Sequence, residues 1–370
     1  MPAFLAEALG FCNSDARRRL IRSTCVRPLL VVPALFGTEI HDEEQGAIWG
    51  TFGCLYRGPL IGSLQGLRGR PTKVMSQIPI FAGIRYDVFG TLLRVLEKIG
   101  YQPGKTLHLF AYDWRLAGMT LGDLLAAEIH RLAAATGSEI DLLGLSNGGL
   151  LMRAAFTKDH RLPVHRVVTS GAPLAGSLET LACLNAGFQF APFGRTVSPK
   201  EFVACPGAMD SIPAPEIPSF LEAGHDLYSV DTWKALQMSV FRQPQRDQDS
   251  QADQEAWAAV LAERLRATRA AWEAMRGAPP PRELVCVCGA GLPTQVRVVI
   301  RDSKAVVPGE GKVAKLPAEA LADGDGGVSL ASATAWTGAN PRVIKIPVGR
   351  HRDVVRTPAA FAAITDALKD

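Results

Sequence analysis

Aromatic residues are scarce in this 370-residue chain, at 7%. No apolar run approaches the roughly 18 residues that a membrane-spanning helix needs. No block of lysine and arginine is interleaved with aromatics, and the net charge of +4 comes from interspersed acids and bases. A nucleic-acid-binding protein is therefore not expected. The seven cysteines are odd in number and widely scattered. They lack zinc-ligand spacing and make no disulfide framework, so a reduced, cytoplasmic setting is expected. Residues 1–11 have no basic end and carry Glu7, so no secretory signal is expected there. No motif implies a metal or an organic cofactor.

What the chain does have is a large apolar fraction, 47%, enough for one extensive core. It also has 35 glycines, and one group of them falls in an informative place. Ile140, Leu142, Leu143 and Leu145 form an apolar run that meets Gly144-Leu145-Ser146-Asn147-Gly148 and then helix-like sequence to Phe156. A bare Gly-x-Ser-x-Gly is weak evidence. Between a strand and a helix it describes a nucleophile elbow, in which a strained turn lifts the serine hydroxyl off the sheet. The competing reading is a glycine-rich turn whose serine merely caps the helix.

Other elements are placed by periodicity. Leu29 to Pro33 reads as a buried parallel strand, and the small turn Ala34 to Thr38 after it is where a backbone oxyanion donor belongs. Residues 51–79 are rich in glycine and proline and read as a long loop at the mouth of a site. Helices are predicted over 86–99 and 121–134, strands over 107–111 and 167–170, and a loop over 171–177. This strand–helix alternation predicts a doubly wound, mostly parallel α/β sheet. Residues 1–27 read as a peripheral helix, whose Arg17, Arg18, Arg19 and Arg22 form a solvated face or touch an anionic surface.

From 178 to 281 the pattern breaks. No main-sheet strand is visible, and a helix over 253–276 carries a stripe from Trp257 to Met275 that packs on the core or meets lipid. This stretch is predicted to be an inserted helical cap. The domain reading is a core of residues 1–177, with a lid loop at about 49–79, a cap of 178–281, and a second core part of 282–370. Strands return at 284–288 and 343–346, with a weak hairpin at 295–302. Thr357-Pro358 starts a last helix.

A serine needs a base. Only His351 lies beyond the cap, shortly after the last strand; His41, His108, His130, His160, His165 and His225 come earlier. The acid should lie between the strand at Leu284 and His351, and the glycine-rich stretch Asp323-Gly324-Asp325-Gly326-Gly327 is the best candidate. Asp325 is preferred, with Asp323 and Asp302 as fallbacks.

Several stretches together resemble the lecithin:cholesterol acyltransferase family of α/β-hydrolases, which includes phospholipase A relatives. They are Val32-Pro33-Ala34-Leu35-Phe36-Gly37-Thr38, Ala111-Tyr112-Asp113-Trp114-Arg115, the elbow, Ser170 to Ser177, Gly289-Ala290-Gly291-Leu292-Pro293-Thr294, Asp323 to Val328, and His351. The resemblance implies the α/β-hydrolase fold, with Ser146 as nucleophile, Asp325 as acid and His351 as base. It implies the backbone N–H groups of Phe36 and Asn147 as oxyanion hole. Leu35, Trp49, Tyr112 and Leu174 are the expected substrate contacts. The chain departs from the family pattern at Ala34, Leu145, Asn147 and Gly327, and Cys54 has no nearby partner for a lid disulfide. The implied partner is an acyl-ester or phospholipid substrate, with peripheral contact to a membrane surface. Hydrolysis by a lipase, phospholipase A or carboxylesterase is expected first, transfer to an alcohol acceptor second, and a non-catalytic lipid- or protein-binding scaffold third.

Overall fold

The computed structural model describes residues 26–58, 60–81, 84–190, 194–242 and 250–369. The basic helix expected at the N-terminus therefore falls largely outside the described residues. The fold is an α/β-hydrolase fold: helices flank a central sheet of six parallel strands.

The elements that position the site run in chain order. They are β1 (Leu29–Val32), α1 (Gly90–Lys98), β2 (Leu107–Leu109), α2 (Gly118–Thr136), β3 (Ile140–Leu145), α3 (Asn147–Lys158) and β4 (Val164–Ser170). After these come α4 (Leu178–Ala186), α5 (Gln251–Arg276), β5 (Leu284–Ala290), β6 (Arg342–Pro347) and α6 (Pro358–Ala367). The strand order is β6-β5-β4-β3-β1-β2, and every adjacent pair is parallel. Every residue of β1 and β3 is buried. Covered on both faces, such strands read as continuous apolar runs rather than alternating ones.

Helix α2 packs on α3, α5 packs on α3, and α6 lies across β4, β5 and β6. The stripe on α5 is buried at Trp257, Leu261, Leu265, Thr268, Trp272 and Met275, and Ser250 caps its start by accepting from the Asp253 N–H. Thr357 caps α6, with Pro358 at the first position. Between β4 and β5 the described residues add no strand to the main sheet.

Three local expectations differ from the fold. The stretch 51–79 is not a bare loop. Thr51 caps a short helix, Phe52–Arg57, and Arg70–Val74 pairs with Thr38–Asp42. The helix expected from residue 86 begins at Gly90, because Ile84–Asp87 instead pairs with Gln77–Phe81. The hairpin is Val299–Arg301 with Lys304–Val306, turned on Asp302 and Ser303 at φ 49° and 57°. Two successive left-handed residues match the right-handed twist of a two-residue hairpin. On α2, Leu121, Leu125, Ile129 and Leu132 face the core, while Leu124 is exposed.

Candidate active site

Ser146 stands between β3 and α3 at φ 49°, ψ −120°. A non-glycine residue there is strained, and the surroundings must enforce it. The Ser146 N–H donates to the Ser170 carbonyl of β4 at 2.8 Å, and the Gly149 N–H donates back to the Ser146 carbonyl at 2.9 Å. The flanking glycines make room. A Cβ on Gly148 would lie 2.2 Å from the Val32 carbonyl oxygen, and one on Gly144 would lie 2.7 Å from the Gly149 Cα. Strand and helix could not approach so closely with side chains at these positions.

His351 follows β6, and Asp325 follows the short strand Leu321–Gly324. The structure brings both to Ser146. Ser146 Oγ lies 3.0 Å from His351 Nε2, and His351 Nδ1 lies 2.7 Å from Asp325 Oδ2. With the Nδ1 proton directed at the carboxylate, Nε2 is the acceptor facing the hydroxyl. Asp325 is buried, and its Oδ1 accepts from the backbone N–H groups of Gly327 at 3.0 Å and Val328 at 2.6 Å. The fallback acids lie elsewhere. Asp323 accepts from the Gly291 N–H, and Asp302 sits in the hairpin turn.

Two further carboxylates approach the histidine, and neither stood out in the sequence. Glu310 accepts a short hydrogen bond from the His351 backbone N–H. The Glu310 N–H in turn donates to Glu179 Oε2 at 2.7 Å. Burial by itself lowers the imidazolium pKa. Asp325, joined by Glu310 and Glu179, outweighs it and raises His351 to about 9. Burial and the nearby Glu310 push Glu179 up to about 7. A glycine-flanked acid, Gly309-Glu310-Gly311, between β5 and His351 was the available signal.

Phe36 and Asn147 both border the cavity that holds Ser146 and His351. Phe36 lies at φ 66° in a turn closed by the Gly37 N–H on the Ala34 carbonyl at 2.9 Å. Asn147 is the first residue of α3, so its N–H has no partner within the helix. The Tyr-Asp-Trp-Arg stretch braces this loop from beneath. Tyr112 donates to the Pro33 carbonyl at 2.8 Å, and Trp114 donates to the Thr38 carbonyl at 3.2 Å. Arg115 is buried against Asp113 at 2.7 Å and donates to the carbonyls of Ile61 and Gly69.

The cavity measures about 220 Å³ and is mostly apolar, with Leu35, Phe36, Phe188, Phe190 and Phe202 among its walls. Phe36 stacks on Phe188 with ring centroids 5.1 Å apart and planes 3° from parallel. Of the residues expected to contact substrate, Leu35 lines this cavity, and Trp49, Tyr112 and Leu174 do not. Trp49 is buried behind Phe36, donating to its carbonyl at 3.0 Å. Tyr112 lies under the loop it braces. Leu174 is fully buried, and its carbonyl accepts from Arg153 at 2.6 Å. Core packing claims all three. Among the described residues no cluster of His, Cys, Asp and Glu could hold a metal ion. Cys54, Cys183, Cys205, Cys286 and Cys288 are free thiols. No helix of the described residues is long and apolar enough to cross a membrane.

The family model described as lecithin:cholesterol acyltransferase matches residues 65–196. The chain is similar to the lecithin:cholesterol acyltransferase family of α/β-hydrolases. The match covers the braced Tyr-Asp-Trp-Arg stretch and the elbow, while His351 and Asp325 lie outside it. No curated protein matches the chain. Among solved structures, the Tle4-Tli4 complex contains a chain superposing with a TM-score of 0.65 at 13% identity, over 94% of this chain and 98% of that one. The mature lipase BlEst2 of Bacillus licheniformis aligns over 94% of both chains at 13% identity and a TM-score of 0.44. The esterase RhEst1 of Rhodococcus sp. ECU1013 aligns over 92% and 90% at 14% identity and a TM-score of 0.35. At 13% identity the likeness to the first of these speaks for the fold alone.

Proposed function

We propose that this chain is a serine-dependent acyl-ester hydrolase acting on lipid esters, with Ser146, His351 and Asp325 as its triad. The observation that carries the reading is the unbroken line of hydrogen bonds from Ser146 through His351 to Asp325 beside an apolar cavity. Ser146 Oγ attacks the ester carbonyl while His351 Nε2 takes its proton. The carbonyl oxygen becomes an oxyanion and accepts from the N–H groups of Phe36 and Asn147. Such pre-aimed donors are worth about 3–4 kcal/mol each in transition-state charge. The tetrahedral intermediate collapses, its C–O bond breaks, and His351 returns the proton to the leaving alcohol. Water, deprotonated by His351, then attacks the acyl-enzyme, and the acid leaves with Ser146 restored. Asp325 holds the imidazole in the required tautomer and stabilises its cation.

The strained serine, the aromatic walls and the similarity to a lipid-acylating family support this reading. In it, residues 178–281 act as a cap over the cavity, supplying Phe188, Phe190 and Phe202, and about 49–79 act as a lid. The core is then 1–177 with 282–370. Transfer of the acyl group to an alcohol in place of water is the second reading, favoured by the family that residues 65–196 match. Both use the same acyl-enzyme and differ in whether water is excluded.

The test is a panel of lipid and simple esters, turned over by wild type and by Ser146→Ala. Loss of turnover by roughly 10⁴-fold or more is expected for the variant. Full turnover by Ser146→Ala would overturn the mechanism. Free fatty acid as the product supports hydrolysis; an acylated alcohol added as acceptor supports transfer.

A further inference from the structure

Two arginines directly after the triad histidine point to what else the substrate carries. Arg352 and Arg356 lie on one face of the short turn of helix His351–Val355 and its end. Both border the cavity that contains Ser146. Both aim at the same neutral acceptor: Arg352 Nη1 donates to the Tyr86 hydroxyl oxygen at 3.2 Å, and Arg356 Nη1 donates to it at 2.8 Å. The Arg356 guanidinium also lies over the Tyr86 ring, 4.8 Å from its centroid.

This arrangement is electrostatically incomplete. Sharing one phenol oxygen brings two full positive charges close together in a mostly apolar hollow. Among the described residues neither arginine has a carboxylate within salt-bridge distance, whereas the neighbouring Arg350 is paired with Asp353. The cavity's own carboxylates are engaged on the histidine side, Glu310 with the His351 backbone and Glu179 with the Glu310 backbone. The Arg356 Nε is buried and has no hydrogen-bond partner among the described residues. A guanidinium presents its donors in a planar fork that suits a phosphate oxygen pair. Holding two such groups on a tyrosine face fixes their geometry in advance.

We propose that Arg352 and Arg356, set by Tyr86, form an anion subsite that takes the phosphodiester of a glycerophospholipid whose acyl ester lies at Ser146. The proposal rests on the acyl-ester reading for the position of the ester, but the anion site can be tested by binding alone. The arginines act through affinity and orientation; the bond made and broken remains the ester at Ser146. A free inorganic phosphate shares the recognised chemistry, so the test separates the two sources.

Binding is measured by calorimetry on Ser146→Ala, which cannot turn over an ester. The ligands are a short-chain diether phosphocholine, the matching diether glycerol without phosphate, and inorganic phosphate. The diether phosphocholine is expected to bind at least tenfold more tightly than the neutral diether. Arg352→Gln and Arg356→Gln are each expected to reduce that preference about tenfold, and Arg→Lys at either site less. Circular dichroism confirms that each variant is folded; if a glutamine variant is not, its lysine counterpart and Tyr86→Phe carry the test. Equal affinity for the two diethers, or a preference untouched in folded variants, would overturn the proposal. Inorganic phosphate binding as tightly as the diether phosphocholine would replace the lipid with a free anion and overturn it too. With Ser146 in place, the ratio of kcat/KM for a diacyl phosphocholine to that for a diacylglycerol should fall on the same arginine substitutions. Turnover of neither ester, with diether binding intact, would fault the hydrolase reading and leave this site standing.

Discussion

In the proposed mechanism His351 must be neutral to take a proton from Ser146, and its surroundings oppose that. Three carboxylates hold the imidazolium against burial, so its pKa stands at about 9. Below that value the base is occupied. The acid limb of kcat/KM should therefore climb about tenfold per pH unit and level off only near pH 9. A pH–rate profile that is already flat at pH 7 would contradict this. Glu179 touches His351 only through its field, so Glu179→Gln should move the limb to lower pH while leaving the triad hydrogen bonds in place. The same shift bears on stability. A raised histidine pKa contributes stability fully below the ordinary value of 6.5, and that contribution is lost as pH rises through about 9. Ser146 and His351 were legible because glycine spacing marks the one and chain order isolates the other. Asp325 and Asp323 were barely separable. The short strand Leu321–Gly324 ends between them, and only the turn after it sends the later carboxylate toward the imidazole. Glu310, Glu179 and the two arginines became visible only when distant segments met.

At the scale of elements, the bracing stretch after β2 does much of the positioning. Tyr112 and Trp114 hold the loop that carries Phe36, and Arg115 ties residues 61 and 69 to the core. Arg115 and Asp113 are both buried. Arg115→Ala would strand the Asp113 charge, and a cost of about 3–5 kcal/mol is expected in urea unfolding. Replacing both partners with apolar residues of similar size should cost less. A loss under about 1 kcal/mol in the single variant would mean that the pair is not buried as described. The main-sheet strands and long helices were legible because their periods are local properties of the chain. The accessory strands were not. Arg70–Val74 is mostly exposed and exists through pairing with Thr38–Asp42, a non-local contact that no periodicity reveals. Trp49, Tyr112 and Leu174 lie behind the cavity rather than in its wall, a difference that motif membership does not reveal.

At the scale of the molecule, distant stretches converge at the end of the sheet where β3, β4, β5 and β6 finish. Arg153, buried on α3, binds them together: it donates to the carbonyls of Leu174, Met275 and Ala335, linking the elbow helix to the end of α5 and to the loop beyond Asp325. This convergence turns a serine into a proposed nucleophile, and it can be interrogated in the intact fold. Folded protein is treated with a fluorophosphonate, and the modified residue is identified by peptide mass spectrometry. A single adduct on Ser146 is expected, formed quickly at pH 9, slowed by Asp325→Asn and abolished by Ser146→Ala. An unlabelled Ser146 in folded wild-type protein, or an adduct that persists in Ser146→Ala, would contradict it.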